Sequence, residues 1–358
     1  MTDVGFPIIV YQRDQSPLTW GRGHGESYRD AIHELAEIRR DLMREKNSAL
    51  NNEYIEKLAA LQWQASEKFS PGITEELQGI AEGADISKTD LVILNNYTDF
   101  RDIQVDDQGC SLVYANKNDG PVVGQTWDMH GTAKQYVCVL DVPLADGERA
   151  IVFSLVGCTG MMGFTSRSTV IGVNNINTDK ADASLIWPVL IREVINQPDL
   201  AAMTRCLEEA PKTSGHNYLI AHGQHAEMWE VAPGLSERVG KMKTGETGNI
   251  FHTNHCLGEK MTARETTISQ NSTTHIRYGL LEKKVDDVSS LKDMYDLMND
   301  HENYPKSICS NFQTDAQDPS VTCGGAVGHL ETMKVQMWRG DELHDDNFVC
   351  HDFDLSKN

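Results

Sequence analysis

An α+β fold built of stacked layers is predicted for this 358-residue chain by the order of its segments. The first third carries apolar residues at helical spacing. At Gly109 the pattern changes to short β-rich segments separated by Asn, Asp and Gly turns. Two helical stretches interrupt these strands, which resume before a final helix pair and a last strand. Strands and helices that alternate in blocks pack as layers around a shared core.

Residues 25–47 place Ile32, Leu35, Ile38 and Leu42 on one face of a helix. A second helix is expected over 52–69, stopped by Ser70-Pro71-Gly72. A third spans 74–83, starting at the acidic pair Glu75-Glu76, which suits a helix N-terminus. Ser87-Lys88-Thr89-Asp90 resembles a capping box and opens a fourth, through Leu91 and Leu94. Strands are expected at 111–115, 121–127, 136–142, 150–156 and 169–177. Helices follow at 185–196 and 200–209, then strands at 217–223, 226–233 and 248–255. A helix pair over 274–299 and a strand at 333–340 complete the pattern. No repeat period is visible, and nothing between Gly109 and Trp338 reads as a long flexible linker.

Composition narrows the function. Hydrophobic residues make up 39% of the chain, enough for a core, and no apolar run reaches the ~18 residues a spanning helix needs. The N-terminus lacks a basic region ahead of its apolar patch, so it does not read as a signal peptide; a cytoplasmic protein is expected. A net charge of −21 argues against nucleic acid and anionic lipid as partners, because phosphate binding needs clustered Lys and Arg. The eight cysteines are widely spaced with no C-x-x-C pair, which disfavours zinc ribbons and small disulfide scaffolds.

The most informative stretch runs from Gly109 to His130. Gly109-Cys110 opens a β-branched strand, a tight turn follows, and a second strand ends in Trp127-Asp128. A chain that cuts itself between Gly109 and Cys110 would carry both reacting groups on one residue. The thiol attacks, and the freed α-amine, with a reference pKa of about 7.7–8.0, takes the proton. Glycine before the nucleophile adds no Cβ bulk and allows a strained backbone. Asp128 could hold and orient the Cys110 ammonium, or simply cap the strand end. Further on, His252, His255 and Cys256 have a compact H-x-x-H-C spacing that invites a metal reading. No further ligands to complete a set are obvious nearby in sequence, and no metal or other cofactor is expected.

Gly109-Cys110-Ser111, with Asp128 eighteen residues after the cysteine, is accompanied by 73–87 upstream and by 214–221 and 252–256 downstream. In order and spacing this set is similar to the acyl-coenzyme A:6-aminopenicillanic acid acyltransferase family of N-terminal-nucleophile hydrolases, to which the insect β-alanyl-dopamine hydrolases belong. The resemblance covers roughly residues 7–338. It implies a four-layer αββα sandwich and processing between Gly109 and Cys110. Residues 1–109 would become a mostly helical α chain and 110–358 the catalytic β chain, the two remaining associated as one structural domain.

The resemblance also implies roles. Cys110 is the nucleophile, Asp128 its partner, and Asn254 the oxyanion donor. Asn174, Asn175, Asn217 and Arg277 are expected near the substrate. Where family members often carry Ser-Ile-Cys-Arg, this chain has Ser307-Ile308-Cys309-Ser310, so recognition of an acidic substrate group by that arginine is lost. The expected activity is hydrolysis or transfer of an acyl group from a small amide or thioester, with water or an amine resolving the acyl-enzyme. A non-catalytic binding relative and a homo-oligomer stay open.

Overall fold

The computed structural model describes residues 2–46, 50–101, 109–266, 268, 272–311 and 318–357. A short strand, β1 (Ile8–Val10), precedes α1 (Pro17–Ser27), α2 (Arg29–Lys46), α3 (Asn52–Phe69), α4 (Pro71–Ala84) and α5 (Lys88–Arg101). The helix expected from residue 25 starts at Pro17 and is divided at Tyr28. Pro17 needs no amide partner in the first turn, and Ser16 accepts the amide of Thr19. Glycines hid this helix. Gly21 and Gly25 of α1 face Gly79 and Gly83 of α4, and a Cβ at any of the four would collide with backbone of the opposite helix. The two helices therefore pack backbone against backbone.

Next come β2 (Leu112–Lys117), β3 (Gly120–His130), β4 (Val137–Pro143), β5 (Arg149–Leu155), β6 (Met162–Thr165) and β7 (Thr169–Asn175). After α6 (Trp187–Ile195) and α7 (Leu200–Glu209) follow β8 (His216–His222), β9 (His225–Ala232), β10 (Leu235–Met242) and β11 (Gly248–His252). The chain continues with α8 (Glu259–Thr262), α9 (Thr274–Lys284), α10 (Leu291–Met298), β12 (Ser320–His329), β13 (Lys334–Arg339) and β14 (Val349–Asp354). These strands form an eight-stranded sheet, β1-β4-β5-β6-β7-β8-β9-β10, and a six-stranded sheet, β11-β2-β3-β12-β13-β14.

The layers run helix, sheet, sheet, helix, as the resemblance implied. The sheets meet face to face where the Gln125 side chain of β3 bonds both the amide and the carbonyl of Val173 on β7, at 2.9 and 2.6 Å. Gly172 makes room, since a Cβ there would lie 2.6 Å from Gln125 Oε1. On the outer faces, a Cβ at Gly163 of β6 would press on Ile195 of α6, and one at Gly124 of β3 on Met294 of α10. The α1–α5 segment lies over the eight-stranded side. There Glu76 of α4 and Arg192 of α6 form a fully buried ion pair at 3.0 Å, with the Tyr11 hydroxyl donating to the same carboxylate.

Strands β1, β6, β10, β12 and β14 lie outside the segments expected from the pattern. Strand β12 matters most, because it lies between β3 and β13. Its Cys323-Gly324-Gly325 run depresses β-propensity, yet the glycines are sterically required. A Cβ at Gly325 would sit 2.5 Å from the Trp338 ring, and one at Gly328 would enter the Phe164 ring. Among the described residues no helix is long and apolar enough to cross a membrane.

Candidate active site

The β2–β3 hairpin turns through Asn118-Asp119, and its antiparallel register carries past Leu112↔Gln125 toward Cys110. Thr126 N–H donates to the Ser111 carbonyl, and Asp128 N–H donates to the Gly109 carbonyl, both at 2.9 Å. The ladder thus holds the Gly109–Cys110 peptide against the end of β3. On the other side of β3, Thr322 of β12 donates its hydroxyl to Asp128 Oδ1 at 2.7 Å. Asp128 Oδ2 is buried and has no hydrogen-bond partner among the described residues. It points at Gly109: a Cβ on that residue would lie 2.5 Å from Oδ2 and 3.0 Å from Arg277 Nη2. A side chain at 109 would have to displace the Asp128 carboxylate or the Arg277 guanidinium.

Arg277, fully buried on α9, organises the rest. Its Nη1 donates to the Cys110 carbonyl at 2.6 Å and to Ser111 Oγ at 3.1 Å. Its Nη2 donates to Asn254 Oδ1 at 2.7 Å, and Nε to Thr273 Oγ1, one helical turn back, at 2.9 Å. Asn174, at the end of β7, donates to the Cys110 carbonyl at 3.1 Å and accepts from Asn217 of β8 at 2.8 Å. Asn254 Oδ1 also accepts the Cys110 N–H at 2.8 Å, while its Nδ2 donates to the Asn175 carbonyl at 2.9 Å. The Thr274 hydroxyl fixes this asparagine by accepting its backbone N–H at 2.7 Å.

The resulting electrostatics favour neutral sulfur and a poised carboxylate. Burial, and after it the Asp128 charge, pushes the Cys110 thiol up to about 12; the Asp128 amide and Arg277 oppose the shift. Burial likewise raises the Asp128 carboxyl to about 6, against the lowering effects of Arg277 and the Thr322 hydroxyl. The thiol therefore holds its proton near neutral pH, and the Asp128 carboxylate is a stronger base than an ordinary aspartate.

Cys110, Asp128, Asn174, Asn217, Asn254 and Arg277 converge in one hydrogen-bonded cluster, which Asn175 joins through its carbonyl. Arg277 and Asn174 spend side-chain donors on the Cys110 carbonyl, and Asn217 spends one on Asn174. Sequence reasoning missed Thr322, because β12 was not recognised. It also missed Thr273, although a threonine four residues before a helical arginine was a usable signal. The two histidines of the H-x-x-H-C run are hydrogen-bonded. His252 spans Glu230 Oε1 at 2.8 Å and the Thr253 carbonyl at 2.7 Å, and His255 contacts the Thr253 and Thr274 hydroxyls. In place of the absent arginine, Ser310 pairs with Thr322: its N–H donates to Thr322 Oγ1 and its carbonyl accepts Thr322 N–H, both at 2.8 Å.

Comparison with known proteins adds context. The sequence model of a family described as acyl-coenzyme A:6-aminopenicillanic acid acyl-transferase matches residues 115–340, beginning just after Cys110. The 40 kDa form of acyl-coenzyme A:6-aminopenicillanic-acid-acyltransferase from Emericella nidulans is 24% identical over 311 residues, covering 83% of each chain. Among solved structures, a mutant conjugated bile acid hydrolase from Clostridium perfringens aligns with a TM-score of 0.41 at 10% identity, over 70% of this chain and 94% of its own. Penicillin V acylase from Agrobacterium tumefaciens aligns with a TM-score of 0.33 at 11% identity, over 68% and 91%.

Proposed function

Because the chain belongs to the acyl-coenzyme A:6-aminopenicillanic acid acyl-transferase family, we propose that it is a self-processing cysteine amidohydrolase or acyltransferase. It cuts between Gly109 and Cys110 and then acts on a small N-acylated substrate through a Cys110 acyl-enzyme. The observation that carries this reading is the treatment of one peptide bond. The Gly109 carbonyl oxygen receives the Asp128 N–H, the Cys110 N–H is held by Asn254, and the free carboxylate oxygen of Asp128 faces Gly109.

The steps follow from those contacts. Asp128 takes the thiol proton, and Cys110 Sγ attacks the Gly109 carbonyl carbon. The oxygen, carrying developing negative charge, is stabilised by the Asp128 N–H. Collapse breaks the C–N bond, Asp128 gives the proton it took from the thiol to the departing Cys110 nitrogen, and a thioester remains. Water hydrolyses it, leaving a Gly109 carboxylate, a free thiol and a free α-amine. In later turnovers that amine is the base for the thiol, while Asn254 Oδ1 and Asp128 orient it. Water or an amine then resolves the substrate-derived thioester, so hydrolysis and acyl transfer differ in the acceptor alone. The test of the reading is intact-mass measurement with N-terminal sequencing. Two fragments, 1–109 and 110–358, are expected; full-length protein that turns over substrate would refute it.

Self-cleavage should depend on pH with a definite sign. Asp128 works as a base when deprotonated, so the rate should rise as pH climbs through about 6 and level off above. A time course of precursor conversion across that pKa checks this, and a flat profile removes Asp128 as the base.

Asn254 has two ends with separable duties. Its Oδ1 holds the Cys110 nitrogen, and its Nδ2, now on the Asn175 carbonyl, is the donor that would serve a substrate oxyanion. In processed enzyme, Asn254→Ala should lower turnover by about 10²–10³ with little change in KM. Asn254→Asp keeps the acceptor facing Cys110 and Arg277 yet lacks the donor, so it should process and then fail in turnover. Steady-state kinetics decide the matter; a wild-type kcat in processed Asn254→Ala would leave the oxyanion to backbone amides.

A further inference from the structure

We propose that His301, Cys309 and Asp341, with His344 beside them, form a binding site for a single zinc-type divalent cation outside the catalytic cluster. The three donors come from separate stretches: His301 after α10, Cys309 from the segment leading toward β12, and Asp341 from the loop after β13. One ligand atom of each lies within 4.8 Å of the others. His301 Nε2 is 3.0 Å from both Asp341 oxygens, and His344 Nδ1 is 2.9 Å from Oδ2. Zinc bonds of about 2.0–2.3 Å place tetrahedral donors roughly 3.3–3.8 Å apart, so the His301–Asp341 pair would move apart by less than about 1 Å, and any pair as wide as 4.8 Å would draw in by about 1–1.5 Å.

The chemistry suits that ion. Imidazole, thiolate and carboxylate together match a borderline cation with tetrahedral preference rather than calcium or magnesium, which take oxygen ligands. Burial is graded in a useful way. Cys309 is fully buried, His301 and Asp341 are about one-eighth exposed, and His344 is 43% exposed, which gives an ion a route in from solvent. The Tyr304 ring stacks on His344 at 4.5 Å, restricting the imidazole that would complete the set.

Such an ion would tie the Cys309 segment to the loop after β13. Cys309 adjoins Ser310, Ser310 pairs with Thr322, and Thr322 bonds Asp128. The site would act as a staple that fixes the outer support of the reacting carboxylate, without entering the reaction.

The experiment uses the complete protein as purified, cut or uncut, stripped with a chelator and titrated separately with zinc and cobalt. One equivalent of zinc should bind and raise Tm, and the cobalt form should show a thiolate-to-metal charge-transfer band. Cys309→Ser should abolish that band, and His344→Ala, at an exposed position, should weaken zinc binding by about tenfold or more. Stripped wild-type protein that binds no zinc, a cobalt spectrum without a thiolate band, or a band that survives Cys309→Ser overturns the proposal. The wild-type measurements stand even if a variant fails to fold.

Discussion

Cys110→Ala is expected to leave the protein as one uncut chain with no detectable turnover while its fold persists. In the proposed mechanism the substitution removes the atom that attacks both the Gly109 carbonyl and the substrate, which leaves neither reaction a substitute path. Structural damage should be small. The side chain loses one sulfur at a site where its backbone N–H and carbonyl make the contacts, to Asn254, Arg277 and Asn174. Circular dichroism and Tm close to wild type, with a single mass for residues 1–358, is the expected combination. A Cys110→Ala protein that still appears as two fragments would assign the cut to another agent. The other seven cysteines should tolerate single Ala or Ser replacement at a packing cost, Cys309 also losing whatever metal it holds.

Arg277→Met is expected to have the second-largest effect, and to act on stability and processing together. The guanidinium is fully buried and serves the Cys110 carbonyl, Ser111 Oγ, Asn254 Oδ1 and Thr273 Oγ1. Its charge is also the chief influence opposing the rise of the Asp128 carboxyl. Methionine fills much of the volume but takes one donor from each of those acceptors and removes the cationic charge near a buried carboxylate. Removing one member of such a set costs about 3–5 kcal/mol, which chemical denaturation would read as a lower midpoint. With Arg277 gone, Asp128 should protonate at higher pH, so any residual self-cleavage should shift its pH dependence upward. Arg277→Lys should rescue little, because a single ammonium cannot match the planar fork that reaches Cys110 and Asn254 at once. Wild-type stability and an unshifted profile would show that Arg277 is dispensable.

The local parts of this structure were legible. The helices over 52–69 and 200–209 coincide with α3 and α7, because apolar spacing and end signals are properties of neighbouring residues. The hairpin that presents Cys110 was readable from alternation and its Asn-Asp-Gly turn. What escaped depended on distant partners. Strand β12 looks too rich in glycine until Trp338 and Phe164 are seen pressing on it, and α1 looks too rich in glycine until α4 lies across it. Thr322 was hidden with its strand. Arg277 was legible as a family feature, but its place on the Cys110 carbonyl arises from α9 approaching β2, a contact 167 positions apart in sequence.

The buried pairing of Glu76 with Arg192, and the insertion of β1 beside β4, have a consequence for the life history of the molecule. Both join residues before the proposed cut to residues after it. Before the cut, folding is a unimolecular search by one chain. Afterwards the same native contacts link two polypeptides, and recovery from denaturation becomes a bimolecular encounter whose success depends on concentration. Self-cleavage would thus convert a reversible folder into an assembly that is made once. Refolding yield should be independent of dilution for the uncut Cys110→Ala chain and should fall with dilution for the mature pair.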